Sequence, residues 1–274
     1  MIWLGCSGWA YTDWNGVFYP RGMSGSLSYY GKFFNSVEVN VTFYRPVAAD
    51  AIAHWINAAM KMPRFRFSVK APRIITHDLV MRDVKSAVEE MEKFSESTLR
   101  PLSEAHLSGA LLVQLPPSFR ESHAGNLDML VSSVDIHGFR GVLELRNGSP
   151  TESPVVMKIV RNAGYVPANI DSPASKLDNF MDYGHGFSYF RFHGRNAASW
   201  FSTDQGPSAR YVYRYSLDEL RDLSRYVKKS VEAGDEVFVY FNNHPAGNAP
   251  KNARDFAGII GLETAGYQTR LFDA

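Results

Sequence analysis

Seven short apolar segments of this 274-residue chain end in polar residues, most of them in the order polar, apolar, polar. The ends are Glu38-Val39-Asn40, Ser68-Val69-Lys70, Gln114-Leu115, Glu144-Leu145-Arg146, Asn169-Ile170-Asp171, Arg191-Phe192-His193 and Tyr240-Phe241-Asn242. A spacing of two places both polar side chains on one face of a β-strand. If the strands are parallel, these ends meet, and the sequence predicts one polar site.

The ionisable side chains at these ends are mixed in sign, with a basic excess. The basic residues are Lys70, Arg73, Arg146, Arg191 and Arg195, and the acidic residues are Glu38, Glu144 and Asp171. Arginine and lysine suit phosphate or carboxylate ligands, and a neighbouring carboxylate can act as a general acid or base. This set predicts acid/base chemistry on a small anionic, phosphorylated or polyhydroxylated substrate.

Four residues are predicted to be catalytic, namely Glu144, Asp171, His193 and Lys70. His193 is included because histidine titrates near neutral pH. The predicted substrate contacts are Arg146, Arg191, Arg195, Glu38, Asn40, Gln114, Tyr240, Asn242, Asn243, Trp9 and Tyr44. A structural alternative stays open, in which Glu38 and Glu144 neutralise Arg191 and Lys70, because an unpaired buried charge is costly.

The segment 242–249 follows the last polar end and predicts a further anion subsite. Gly247 and Asn248 suit close backbone approach and helix capping, and a helix N-terminus attracts anions. Arg195 is expected to lie across from this segment. An ordinary capped helix start explains the same residues.

No cofactor is predicted, and a divalent metal is the alternative. Glu38, Glu144, Asp171, His193 and His244 are suitable ligand types, but no compact HxH or HExxH spacing connects them. The single cysteine, Cys6, excludes an intrachain disulfide and is expected to be a small buried apolar residue.

The elements that must position these residues alternate along the chain. The predicted strands are 2–7, 36–41, 65–71, 109–115, 141–146, 165–171, 187–193 and 236–242, and the predicted helices are 48–60, 84–103, 124–134, 153–162, 217–233 and 248–260. Strand alternating with helix indicates parallel βαβ units. Eight units in a chain near the usual length of roughly 250 residues indicate an α/β fold of the (β/α)8 TIM-barrel type, whose active sites lie at the C-terminal strand ends. Residues 1–274 are predicted to form one domain.

Several motifs follow one another along nearly the whole chain. They are Gly5-Cys6-Ser7-Gly8-Trp9, Gly16-Val17-Phe18-Tyr19-Pro20, Val37-Glu38-Val39-Asn40, Thr42-Phe43-Tyr44, Phe67-Ser68-Val69-Lys70-Ala71-Pro72, Gln114-Leu115-Pro116-Pro117-Ser118-Phe119, Asp171-Ser172-Pro173, His193-Gly194-Arg195 and Tyr240-Phe241-Asn242-Asn243. In this order they resemble the YecE-like family, domain of unknown function 72. The resemblance implies a TIM-barrel fold and no particular reaction. The chain departs from the family pattern at 147–150 and at Val212.

Composition and charge narrow the function classes. The chain has 29 basic and 28 acidic residues and a net charge of +1, so it has no general attraction to nucleic acid or to a membrane surface. No apolar run approaches the ~18 residues of a membrane span, and no signal-peptide pattern is present. We therefore expect a cytoplasmic enzyme without a membrane partner.

The alternatives are a nucleic-acid binding or phosphodiester-processing protein that uses the same basic site, and a barrel that binds a ligand without turnover. The oligomeric state is not predicted.

Overall fold

A computed structural model describes residues 1–23, 25–146, 153–175, 177, 184–202, 206 and 208–262. Within these ranges the chain forms nine strands that all pair in parallel. They are β1 Ile2–Cys6, β2 Ser36–Val39, β3 Arg66–Lys70, β4 Ser108–Leu115, β5 Arg140–Leu145, β6 Val166–Pro167, β7 Asn169–Asp171, β8 Phe187–Phe192 and β9 Glu236–Phe241. The fold is therefore of the α/β class with parallel sheets, as the sequence pattern predicts.

The strands form two sheets, with the orders β1-β9-β8-β7 and β2-β3-β4-β5-β6. The predicted strand 165–171 is divided between them. Val166 and Pro167 pair with β5, and Ala168 N donates to Leu143 O at 2.8 Å, whereas the next three residues pair with β8. Pro167 has no N–H for a ladder hydrogen bond, and the run changes partner directly after Ala168.

The first strands of the two sheets, β1 and β2, are joined largely by side chains along a line that we call the seam. Asn35 Oδ1 accepts a hydrogen bond from Leu4 N (2.8 Å), and Asn35 Nδ2 donates to Ile2 O (3.0 Å). Toward the C-terminal end, a direct main-chain hydrogen bond joins Gly8 N to Glu38 O at 2.8 Å. The seam thus combines amide side-chain and main-chain contacts.

Tyr30 completes the seam by inserting its hydroxyl between the two strands. Its Oη accepts from Cys6 N (2.7 Å) and donates to Ser36 O (3.0 Å). Gly5 makes room for this arrangement, because a Cβ atom at that position would lie 1.9 Å from Ser36 O and 2.6 Å from Tyr30 Oη. A side chain at position 5 would therefore force the strands apart.

The α-helices of the described ranges lie between the strands in sequence, except for the last one, which follows β9. They are α1 Leu27–Tyr30, α2 Val41–Tyr44, α3 Ala49–Ala59, α4 Val84–Phe94, α5 Arg100–Glu104, α6 Ala124–Ser133, α7 Pro154–Asn162, α8 Ala197–Trp200, α9 Leu217–Glu232 and α10 Asn248–Ile260. The predicted helix 84–103 is interrupted by a π-helical turn, Ser95–Leu99, and a second π-helical turn, Ile74–Leu79, follows β3. The start of α9 is set by a capping box between Ser216 and Glu219.

Apolar side chains form two separate clusters on the two faces of the strands. The cluster of the inner face takes members from both sheets: Trp3, Ala110, Leu112, Val142, Val166, Phe187, Tyr189, Phe238 and Tyr240. The larger, outer cluster packs alternate strand residues such as Leu4 and Phe192 against helical residues such as Leu127 and Phe256. Toward the C-terminal strand ends the inner face becomes polar, and we call this polar end the mouth.

Candidate active site

A buried ion-pair network lies at the mouth and is centred on Arg191 of β8. Arg191 Nε donates to Glu38 Oε2 at 2.9 Å, and Arg191 Nη2 donates to Glu38 Oε1 at 2.8 Å. The remaining arm, Nη1, donates to Glu144 Oε2. All three side chains are buried. Of the structural pairings left open by the sequence, Glu38 with Arg191 is present, whereas Glu144 pairs with Arg191 and not with Lys70.

Neutral side chains fix both carboxylates further. Tyr189 Oη donates to Glu38 Oε2 at 2.6 Å, and Gln114 Nε2 donates to Glu144 Oε1. Burial by itself would raise the pKa of both carboxyl groups, but the charge of Arg191, its hydrogen bonds and the other groups around each carboxylate together outweigh burial and hold each pKa below its ordinary value. Glu38 and Glu144 are therefore ionised at neutral pH, and neither is suited to donate a proton.

Lys70, the last residue of β3, lies on the inner face at the mouth and is only 8% exposed. Its Nζ is 3.8 Å from the centroid of the Phe43 ring. Within the described part of the chain, Nζ makes no hydrogen bond, and no carboxylate oxygen lies within 4.0 Å of it. Burial, followed by the charge of Arg191, lowers the pKa of Lys70 to about 7.

His193 follows β8 on the inner face and is buried beside the network. Asn242 Nδ2 donates to His193 Nδ1 at 2.8 Å, and His193 Nε2 lies 3.9 Å from Glu144 Oε1. Burial lowers the pKa of His193 well below its ordinary value, and the charges of Arg191 and Arg146 lower it further. The imidazole is therefore neutral at pH 7, with its proton on Nε2.

Arg146 follows β5 at the mouth and is half-buried. Its Nη2 donates to Tyr211 Oη at 2.9 Å. The ring centroids of Tyr211 and Trp200 lie 5.8 Å and 5.9 Å from that of His193. None of the carboxylates in the described ranges forms an ion pair with Arg146.

Asp171 and Arg195 form a second cluster on the outer face of the strands. Arg195 Nε and Nη2 bind the Asp171 carboxylate at 2.9 Å and 2.8 Å, and Arg195 Nη1 donates to Glu219 Oε1 at 3.2 Å. Tyr215 Oη donates to Asp171 Oδ2 at 2.7 Å. The structure therefore does not bring these two predicted site residues together with Glu144, Lys70 and the rest of the mouth.

Two further predicted contacts also lie away from the mouth. Asn243 is buried in a structural position, where its Nδ2 donates to Asn252 Oδ1 and to Tyr213 O at 2.9 Å each. Tyr240 lies deeper on the inner face, where its Oη donates to Ser68 Oγ at 2.8 Å. Both residues support the elements that carry the site.

Trp9, Asn40 and Tyr44 line a groove of about 680 Å³ formed by the segments that follow β1 and β2. The Trp9 ring packs edge-on against Trp55, with centroids 5.5 Å apart, and Tyr44 is 77% exposed. Asn40 Oδ1 is buried and has no hydrogen-bond partner in the described part of the structure. These three predicted contacts are thus grouped, but separately from the ion-pair network.

The predicted anion subsite after β9 packs against the segment that follows β1. Ala246 N donates to Asp13 Oδ2 at 2.7 Å, and Trp14 Nε1 donates to His244 O at 2.8 Å. One backbone N–H of this subsite therefore already has a carboxylate partner. Arg195, expected across from it, is bound to Asp171.

Comparison with known proteins shows where this chain belongs. The model of the family described as Protein of unknown function DUF72 matches residues 3–272.

The chain belongs to the DUF72 family.

This confirms the resemblance predicted from the sequence motifs. A crystal structure of a DUF72 family protein from Thermotoga maritima is 30% identical, covers 95% of this chain and 99% of that chain, and superposes with a TM-score of 0.77. A DUF72 family protein from Enterococcus faecalis V583 is 25% identical, covers 96% and 98%, and has a TM-score of 0.75. The UPF0759 protein YunF of Bacillus subtilis (strain 168) is 26% identical over 284 residues, which is 100% of this chain and 99% of YunF.

Phe43 and His77 are at the mouth of this DUF72 protein although neither is among the predicted site residues. Phe43 belongs to the motif Thr42-Phe43-Tyr44, whereas no sequence pattern marks His77. Burial, then the charge of Lys70, lowers the pKa of His77 to about 4, and its ring lies 5.1 Å from that of Phe43. His77 belongs to the π-helical turn after β3, and its Nδ1 is 2.9 Å from Thr76 Oγ1. Such turns are frequent at functional sites, but the 3.6-residue period used to find helices does not reveal them.

Three observations concern the metal, thiol and membrane alternatives. Among the residues whose positions the structure gives, no three His, Cys, Asp or Glu side chains are grouped so that they could hold a metal ion. Cys6 is buried in the outer cluster, and burial raises the pKa of its thiol. No helix in the described ranges has the length and apolar character needed to span a membrane.

Proposed function

We propose that this DUF72 protein is an enzyme that binds a small anionic substrate at the mouth and exchanges a proton with it through Lys70. The substrate carries a phosphate or carboxylate group. Arg146 provides charge-assisted hydrogen bonds to this group, and protonated Lys70 adds a second positive charge. Of the four cations predicted to be catalytic or to contact substrate, these are the two that have no acidic partner in the described ranges.

The observation that carries this proposal is the state of Lys70. A buried ammonium without a counter-ion is costly, and a pKa of about 7 means that both protonation states are populated near neutral pH. General acid/base catalysis is most efficient when the pKa of the group lies near the working pH. Strongly perturbed pKa values of this kind cluster at functional sites.

The neighbouring side chains have supporting roles in this proposal. His193 is neutral and held by Asn242, so its Nε2–H donates a hydrogen bond to the substrate. Glu144 is ionised and bonded to Arg191 and Gln114, so it positions and balances charge where the sequence predicted proton exchange. Asp171 lies on the outer face, where it binds Arg195, and therefore takes no part in the proposed proton exchange.

We also propose that the two sheets form one closed (β/α)8 barrel in a single domain. The support is the inner cluster shared by both sheets, the seam between β1 and β2, and the run 166–171, which pairs with one sheet and then the other. A closed barrel gathers strand ends from both sheets around one mouth. A cytoplasmic location and independence from a cofactor are part of the same proposal.

Thermal unfolding in the presence of ligands tests the anion site. The panel contains inorganic phosphate, sugar phosphates, small carboxylates and a short oligonucleotide. A ligand at 100 times its Kd stabilises the folded state by about 2.7 kcal/mol, which raises the Tm by several degrees in a chain of this length. We expect such a rise with at least one small anion, and its loss in Arg146→Gln and Lys70→Met.

The matched control is Arg140→Gln, which alters the arginine at the opposite end of the same strand, β5. This variant should keep the full ligand response. The absence of a response to any small anion, or a response that Arg146→Gln and Lys70→Met retain, contradicts the proposal. A response to the oligonucleotide alone, with a steep dependence on salt, favours the nucleic-acid alternative.

A further inference from the structure

Lys70 combines three properties that are seldom found together in a lysine. Its amine lies at the C-terminal end of a strand on the polar inner face, and the side chain is 8% exposed. In the described ranges no carboxylate or hydrogen-bond acceptor holds Nζ in place. Nζ lies over the face of the Phe43 ring, 3.8 Å from its centroid. The nitrogen is therefore desolvated on the side of the ring, and it has no hydrogen-bond or carboxylate partner in the part of the chain that the structure describes.

Burial favours the free amine of Lys70. Among the neighbouring charges, Arg191 and Arg146 act against its protonation, whereas Glu144 and Glu38 act in the opposite direction. The Glu144 carboxylate, however, is bonded to Arg191 and Gln114. Desolvation and a neighbouring cation are the two conditions that activate lysine amines as nucleophiles.

We propose that Lys70 is a covalent nucleophile whose amine forms an imine with a carbonyl compound that carries a carboxylate or phosphate group held by Arg146. The inference deepens the proposed function and relies on it for the anionic part of the substrate. It names the substrate class as small anionic aldehydes and ketones. In the proposed function the lone pair of Lys70 Nζ accepts a proton, whereas here the same lone pair attacks the carbonyl carbon of the substrate.

The reaction balances without a further reactant. The lone pair of Nζ attacks the carbonyl carbon, a C–N bond forms, and the carbonyl oxygen takes one proton from the nitrogen. The resulting carbinolamine then loses its hydroxyl group, which leaves as water after receiving the second nitrogen proton, and a C=N bond forms. One carbonyl compound and one amine thus give one imine and one water, with no change in oxidation state.

Reductive trapping of the full-length protein tests this inference. The probes are pyruvate, which carries a carboxylate, and dihydroxyacetone phosphate, which carries a phosphate, and acetone is the uncharged comparison. Cyanoborohydride reduces an imine to a secondary amine that survives denaturation. The protein mass then increases by the mass of one probe molecule less one oxygen atom. We expect a single modification by at least one anionic probe, located at Lys70 by peptide mapping, with acetone at least tenfold less effective. The more effective anionic probe identifies the preferred anion.

Two variants and one control accompany the trapping. Lys70→Met should abolish the modification, and Arg146→Gln should lower its yield about tenfold at probe concentrations below saturation, as expected for the loss of charge-assisted hydrogen bonds. Lys93 is an exposed lysine paired with Glu90, and Lys93→Met should leave the yield unchanged. The thermal unfolding of each variant shows that it is folded.

The outcomes separate this inference from the proposed function. If phosphate or pyruvate stabilises the protein but neither anionic probe is trapped at Lys70, the imine is excluded and the anion site stands. If acetone is trapped at Lys70 as efficiently as the anionic probes, and no anion stabilises the protein, Lys70 is a nucleophile but the anion site is excluded. Modification spread over surface lysines and unaffected by Lys70→Met overturns the inference.

Discussion

Asp171 and Arg191 lie one register position apart on paired parallel strands, and their side chains leave opposite faces of the sheet. The register partner of Arg191 is Ile170, and that of Asp171 is Phe192. Arg191 therefore points to the mouth and binds Glu38, whereas Asp171 points outward and binds Arg195. Two charged residues that are neighbours along the strand ends thus belong to different clusters.

We predict that Arg195→Gln lowers the stability of the protein but leaves its affinity for the ligand nearly unchanged. The variant loses charge-assisted hydrogen bonds to Asp171 and Glu219, and we expect a decrease of about 1–3 kcal/mol in the free energy of unfolding. Its Kd for inorganic phosphate, measured by calorimetry, should change by less than about twofold, because Arg195 does not face the mouth. Arg146→Gln should weaken the same binding about tenfold. A larger loss in Arg195→Gln than in Arg146→Gln contradicts this assignment.

We predict that Arg191→Met is strongly destabilising, because it leaves the Glu38 and Glu144 carboxylates buried without a cation. Urea unfolding at pH 7 should show a loss of about 3–5 kcal/mol. The pH dependence gives an independent check. In the wild type both carboxyl groups have lowered pKa values, so their stabilising effect is complete above their ordinary pKa and is lost as the pH falls through the folded-state pKa.

The variant should show the opposite trend. Without Arg191, burial raises the pKa of Glu38 and Glu144, and the folded state takes up protons before the unfolded state does. The free energy of unfolding of Arg191→Met should therefore increase as the pH is lowered from 7 toward 5. A decrease over this range shows that another cation neutralises the pair.

We predict that Lys70→Met stabilises the protein at low pH. The pKa of Lys70 is about 7 in the folded state and near 10.5 in its ordinary state, so the unfolded chain binds more protons between these values. Wild-type stability should therefore rise as the pH increases from 7 to 10, and the penalty of the buried ammonium is largest below pH 7. In phosphate-free buffer the variant should be more stable by a few kcal/mol at pH 6, with the difference shrinking toward pH 10. An equal difference at both pH values contradicts the lowered pKa.

We predict that Tyr30→Phe loosens the seam. The substitution removes the hydroxyl that serves both Cys6 N and Ser36 O, and leaving such groups unsatisfied costs about 1–3 kcal/mol. Amide hydrogen exchange at Cys6 should accelerate, while exchange at Val239, inside the β1–β9–β8 pairing, should change little. Tyr29→Phe is the control, since the Tyr29 hydroxyl makes no hydrogen bond within the described ranges. Equal acceleration at Cys6 and Val239 indicates general rather than local loosening.

The sequence predicts the parallel α/β class and most strand positions because alternating polar ends and helical spacing are local signals. The β6–β7 division lies beyond this reasoning. The run 165–171 has the composition of one strand, and only the tertiary pairing shows that it changes partner after Ala168. The π-helical turns are likewise set by packing and not by spacing.

The site is predictable to a similar degree. The period-two pattern correctly indicates that Asn169 and Asp171 share one strand face, but both faces of a parallel sheet are buried, so the pattern does not say which face is the inner one. The pattern likewise does not say which of the adjacent residues Asn242 and Asn243 faces the site. Only Asn242 contacts His193. The prediction that Glu38, Lys70, Glu144, Arg146, Arg191 and His193 are grouped agrees with their arrangement at the mouth, while their roles remain proposals.

The seam has a consequence for how such a protein tolerates mutation. Where strands are joined by main-chain hydrogen bonds, most substitutions leave the bonding groups in place. Between β1 and β2, Asn35 and Tyr30 supply several of the bonds with their side chains, so a single codon change can weaken this joint without altering any residue of the mouth. Sequence change at these two positions would therefore tune the stiffness of the scaffold separately from its chemistry.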